Sequence, residues 1–228
     1  MQTPLKEKKA GMAPKKWLLV LLLILLSAGT LAYLRPKKSL SVSAPKTLDI
    51  TVGTAHLRLP ENLVRYPEQR VSSNLNTVNL AVNWPDFSPI VAPSNLMNVG
   101  DMQAQKIFIT IEPAEDTLPP EQRPSSLYSR FLTTDINDSQ NQLVTRVFKA
   151  GSPYAGEVLH IAPPNGESFA ARCQITKAPE ARPEHCLWQL RMNKLDISVR
   201  FSEELLPEWE ALSTTTRLVI ENITEKNR

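Results

Sequence analysis

Hydrophobic positions follow two patterns along the chain, and each predicts a different element. Residues 17–34 form an unbroken, uncharged apolar run between Lys15 and Lys16 on one side and Arg35 on the other. At about 1.5 Å per residue this run makes roughly 27 Å of helix, close to the hydrocarbon thickness of a bilayer. Downstream the period changes to two, the signature of half-buried strands. Leu48, Ile50 and Val52 alternate with Asp49 and Thr51, and Val78, Leu80, Val82 and Trp84 with Asn79, Ala81 and Asn83. Ile107, Ile109 and Ile111 follow the same rule, with weaker strands at 143–148 and 157–161. Trp188, Leu190 and Met192 alternate with Gln189 and Arg191, then Leu195, Ile197, Val199 and Phe201 with Asp196, Ser198 and Arg200. The phase shift between Met192 and Leu195 predicts a turn at Asn193, and 217–223 reads as a closing strand.

Helix signals are few. Ser125 can cap a short helix carrying Leu127, Tyr128, Phe131 and Leu132, and Ser202 another through Leu205 and Leu206, where Pro207 either kinks the helix or starts a new turn. These elements divide the chain into a basic tail (1–16), a transmembrane signal-anchor helix (17–34), a Ser, Pro and Lys-rich tether (35–46) and one domain (47–228). The expected fold is a transmembrane helix followed by a mainly-β, β-rich α+β extracytoplasmic domain, sandwich- or barrel-like, of about eight to ten strands.

Charge sharpens this division. Residues 1–46 hold nine basic residues and one acid, whereas 47–228 hold 17 basic and 22 acidic. The positive balance therefore belongs to the membrane flanks, and the domain is mildly acidic with its charges interspersed. That distribution excludes a nucleic-acid binder of the usual basic-patch kind. Lysines before the span and a long domain after it place the N-terminus in the cytoplasm and the C-terminal domain on the other side of the membrane. A cleaved signal peptide shares the basic start and apolar core, and Met12 offers a later start. This apolar core exceeds the usual ~7–15 residues, and its small-residue cleavage sites are poor, so a retained anchor is expected. Ala28 and Ala32, one helical turn apart, could pair two spans into a homodimer.

The two cysteines, Cys173 and Cys186, lie on the translocated side, at the facing ends of two predicted strands around a polar, Pro-containing loop. A disulfide across that loop needs an oxidising compartment. A metal site built with His185 lacks the usual ligand spacing and a second cysteine pair, so no metal is expected. No glycines are spaced to cradle a phosphate, so no cofactor is expected either. Ser152 in GSPYAG lacks a nucleophile elbow and reads as a turn, and His56, His160 and His185 are far apart in sequence. Three arginines remain as candidates for contact with an anion or partner: Arg65 and Arg70, interleaved with Glu61 and Glu68, and Arg172, in opposite phase to Phe169, Ala171 and Cys173. Salt bridging with neighbouring glutamates is the simpler role for each.

The order of several short motifs resembles a group of uncharacterised single-span, membrane-anchored or exported proteins of alphaproteobacteria. These are Leu59-Pro60-Glu61-Asn62 with Arg65 and Arg70, Asn83-Trp84-Pro85, Phe169-Ala170-Ala171-Arg172-Cys173 with Cys186, and Phe201-Ser202 followed by Leu206-Pro207-Glu208-Trp209. The resemblance implies an inner-membrane, periplasm-facing protein and supplies no catalytic residue. With no catalytic motif, the expected function is a non-enzymatic binding or scaffold module of the cell envelope with a protein partner. The alternatives are an envelope hydrolase with a site assembled from dispersed residues, and a lipid or small-ligand binding domain.

Overall fold

A computed structural model of the chain describes residues 46–90, 105–138, 141–175 and 186–224. The predicted span at 17–34, and with it the candidate homodimer contact of Ala28 and Ala32, lies outside the described residues. Among those described, no helix is long and apolar enough to cross a membrane.

The described chain forms a mainly-β, sandwich-like domain of two sheets. β1 (Thr47–Val52), β2 (Ala55–Pro60) and β3 (Asn74–Leu75) make a three-stranded sheet in the order β2-β1-β3. The larger sheet has nine strands: β4 (Val78–Asn83), β5 (Ser88–Pro89), β6 (Lys106–Pro113), β7 (Leu132–Asp138), β8 (Val144–Phe148), β9 (Glu157–Ile161), β10 (Ala170–Gln174), β11 (Cys186–Met192) and β12 (Leu195–Phe201). Its order is β5-β4-β6-β12-β11-β10-β9-β8-β7, and all its pairings are antiparallel. α1 (Arg123–Ser126) is a single turn between two 3-10 turns, Pro120–Gln122 and Tyr128–Phe131, and α2 (Trp209–Ile223) follows a 3-10 segment, Glu203–Glu208.

Period-two alternation sorts the two faces of the large sheet. Ile107, Ile109, Ile111, Leu195, Ile197, Val199 and Phe201 are at most 1 % exposed and face the main core. That core also holds Leu48, Ile50, Leu57 and Leu59 from the small sheet and Leu212, Ile220 and Ile223 from α2, so both elements cover the same face. Burial on this scale supplies the main driving force of folding. The β11–β12 turn lies where the phase shift puts it. Asn193 and Lys194 have φ of 52° and 65°, the positive pair that a two-residue type I′ hairpin turn needs.

The expected closing strand at 217–223 is instead the second half of α2. A seven-residue window sees only the β-branched and apolar run, whereas buried Leu212, Thr216, Ile220 and Ile223 recur at helical spacing. Pro207 sits in the 3-10 segment just before the helix, and the Ser202 side chain accepts from the Glu204 N–H as its cap.

Cys173 and Cys186 are directly paired across β10 and β11 and form a disulfide, with a Cα–Cα distance of 4.1 Å. Both are within the main core. The recurrent tryptophan motifs also meet in space. The Trp84 indole N–H donates to Glu208 Oε2 at 3.0 Å, tying the end of β4 to the start of α2. Trp209 lies against Phe169, ring centroids 5.4 Å apart, and Phe169 against Trp188 at 5.2 Å.

Candidate partner-binding face

The second face of the large sheet carries the outward-phase residues, and strand register lines them up in rows. One row runs Ala81, Phe108, Arg200, Leu187, Arg172, Leu159, Arg146, each directly opposite the next on the neighbouring strand. Arginine therefore recurs on every second strand, roughly 10 Å apart at the usual strand spacing. The parallel row, Asn79, Thr110, Ser198, Gln189, is a polar ladder. Thr110 Oγ1 donates to Asn79 Oδ1 at 3.0 Å, Gln189 Nε2 to Ser198 Oγ at 3.0 Å, and an Arg123 guanidinium N–H to Gln189 Oε1 at 3.0 Å. A third row pairs Asp196 with Arg191 through two hydrogen bonds of 2.6 and 2.9 Å, which raise the arginine pKa further.

Half of this face is covered. Tyr128 meets Phe148 and Tyr154 edge-on, and Phe148 and Tyr154 are tilted against each other, with centroids 4.9 to 5.7 Å apart in a cluster built on Leu132 and Leu159. Burial in that cluster pushes the Tyr128 phenol pKa up, and the nearby Arg172 charge opposes the rise. The Arg172 guanidinium lies 4.9 Å from the Tyr154 centroid and 5.6 Å from that of Tyr128, and donates to Glu157 at 2.8 Å. Arg146 donates to the Thr133 carbonyl on edge strand β7. Both arginines are thus engaged in holding the covered half together.

Among the described residues the other half is open over β6 and β12, while Ala81 of β4 is buried. The segment that frames it is pinned to the edge of β4. Val64 bridges to Leu80, Gln69 donates to the Thr77 carbonyl at 2.9 Å and accepts from the Asn79 N–H at 3.0 Å, and Arg70 donates to the Val64 carbonyl at 3.1 and 2.6 Å. This anchoring holds the Arg65 guanidinium over Phe108, 4.4 Å from the ring centroid, with Tyr66 at 5.2 Å. Lys106 and Arg200 project beside it from β6 and β12, both exposed. A crevice of about 210 Å³ lies alongside, lined in part by Leu63, Arg65, Ala81, Lys106 and Phe108.

The structure therefore brings two of the three sequence-selected arginines, Arg65 and Arg172, to one face, and gives Arg70 a backbone-bracing position. The glutamate pairing expected of these residues occurs at Arg172. Phe108, Lys106 and Arg200 were missed. Their outward phase is visible in the sequence, but alternation within a strand says nothing about which strands are neighbours.

The other candidate chemistries separate. His56 Nδ1 lies 3.2 Å from Thr51 Oγ1 in the small sheet. His160 is buried on the core face of β9, its Nδ1 3.0 Å from Thr145 Oγ1, and burial lowers its pKa. His185 lies outside the described residues. Among the described residues no group of three or more His, Cys, Asp or Glu is placed to hold a metal ion. A further cleft of about 530 Å³, lined in part by Thr77, Glu112, Arg123 and Gln189, adjoins the polar ladder.

The fold and this face define a mainly-β, sandwich-like domain with one covered and one half-open sheet surface. No family model matches the chain, and no curated protein sequence matches it. Among solved structures, an immunity protein of the Stenotrophomonas maltophilia type IV secretion system aligns with a TM-score of 0.55 and 18 % identity, covering 79 % of this chain and 94 % of that one. At that identity the likeness shows a shared fold alone. The iron-regulated outer membrane lipoprotein FrpD of Neisseria meningitidis aligns at a TM-score of 0.36 and 12 % identity, over 69 % of this chain and 80 % of that one, too low to relate the folds.

Proposed function

We propose that this is a single-span protein of a bacterial inner membrane, its N-terminus cytoplasmic, which presents residues 47–228 in the periplasm as a module that binds another protein of the envelope. The observation that carries the binding role is the open half of the large sheet, where Arg65, Phe108 and Arg200 stand together on a rigidly framed surface. The fold shared with an immunity protein supports a task performed through a protein partner. The apolar run at 17–34 supports the anchor, and the Cys173–Cys186 disulfide supports an oxidising compartment. So does the resemblance to membrane-anchored alphaproteobacterial proteins.

Two arms test this reading. Alkaline phosphatase fused after Arg228 is active only in an oxidising periplasm; the reading expects activity, and an inactive phosphatase beside a fluorescent cytoplasmic reporter at the same position overturns it. Bifunctional cross-linking of intact cells, followed by detergent purification of the full chain, is expected to trap one reproducible envelope protein. Only self-adducts or no adducts contradict the binding role.

A further inference from the structure

We propose that the open half of the large sheet receives an acidic segment of the partner protein, with carboxylates on Arg65, Arg200 and Lys106 and a neighbouring side chain against Phe108 or in the crevice beside it. This rests on the protein-binding reading above and names the chemistry of the partner. Three observations carry it. First, the other arginines of this face are already engaged: Arg172 is paired with Glu157, Arg191 with Asp196, and Arg146 and Arg123 donate to the Thr133 carbonyl and to Gln189. Arg65, Lys106 and Arg200 have no ion pair among the described residues. Second, these charges cluster within about two strand spacings, roughly 10 Å, on a domain that is acidic overall, with 17 basic and 22 acidic residues over 47–228. The surplus is local, as charge complementarity to an acidic partner requires. Third, the Arg65 guanidinium is ordered in advance. Its stack on Phe108 at 4.4 Å and the anchoring of 64–70 to β4 hold it in place, which lowers the entropy lost on binding. A planar guanidinium with its donors free can take a carboxylate bidentately, and the crevice of about 210 Å³ offers apolar wall beside it.

The probe is a fluorescein-labelled octaglutamate peptide, titrated by anisotropy with the full chain in neutral detergent micelles. The expected result is saturable binding that weakens at least tenfold in Arg200→Glu and in Arg65→Ala, and that falls as salt rises. Arg58→Glu, at an exposed position of β2 in the small sheet, should stay within twofold of the unaltered chain. Arg200→Gln, which removes the charge and keeps a polar side chain, should lose affinity while its melting temperature and near-ultraviolet circular dichroism stay those of the unaltered chain, separating charge loss from misfolding. Binding weakened equally by Arg58→Glu overturns the proposal, since it marks diffuse attraction. So does preferential binding to phosphatidylglycerol vesicles, which marks a lipid surface, or displacement by inorganic phosphate at constant ionic strength, which marks a small-anion site. No peptide binding, in a protein that still traps an envelope partner by cross-linking, defeats this face and leaves the protein-binding module standing. No peptide binding and no trapped partner defeat both.

Discussion

Opening the Cys173–Cys186 disulfide is the perturbation whose size follows most directly from the fold. The two residues are 13 positions apart, so the bond closes a loop of about 14 residues, and the chain-entropy relation gives about 10 cal/mol/K, or about 3 kcal/mol at 25 °C. The sulfurs belong to two side chains that are 1 % and 0 % exposed, so replacing both by alanine adds a packing loss on the order of 1 kcal/mol. For a domain of this size each kcal/mol shifts Tm by about 2–4 °C. Reduction of the unaltered protein should therefore lower Tm by about 6–12 °C, and the Cys173→Ala/Cys186→Ala protein should melt lower still. The assay is near-ultraviolet circular dichroism of the full chain in detergent, with and without dithiothreitol. Dithiothreitol should leave the double variant unmoved. A double variant melting within about 2 °C of the oxidised protein, or one shifted by dithiothreitol as far as the unaltered chain, would refute the reasoning.

Other substitutions test other parts of the fold. Gly53 turns the β1–β2 hairpin at φ +59°, and a Cβ there would meet Pro113 Cβ at 2.9 Å, so Gly53→Ala should cost about 1–3 kcal/mol in chemical denaturation. Trp188, 1 % exposed and packed against Phe169, should cost about 3–5 kcal/mol as Trp188→Ala by the same measurement. Burial holds the His160 pKa below its unfolded value of 6.5, opposed by Glu203, and its buried Nε2 has no partner among the described residues. A depressed histidine pKa means that the unfolded chain binds the extra proton first. Stability is therefore full above about pH 6.5 and declines as pH falls below it towards the folded pKa. Denaturation midpoints measured between pH 7.5 and 5 should show that decline, and His160→Gln should flatten it.

The strands were legible because one face of each is buried, and burial imposes a period of two on β1, β6, β11 and β12. The disulfide was legible because its cysteines end two such runs around a short polar loop. The second half of α2 was not, because 217–223 is rich in residues that also favour strands. Only the longer spacing of Leu212, Thr216, Ile220 and Ile223 reveals the helix. The binding face was half legible. Arg65 and Arg172 stood out through their local context, whereas Arg200 acquires meaning only from β12 lying between β6 and β11, a long-range pairing that no local pattern encodes.

As a binding surface, the open sheet face must meet a protein outside the membrane. The direct measurement is photo-cross-linking in living cells, with a benzophenone amino acid placed in the full chain at exposed Tyr66, beside Arg65, or at exposed Leu218 on α2. A discrete adduct with one envelope protein from position 66 and none from position 218 is the predicted result. Adducts from position 218 alone, or from neither position, would contradict it.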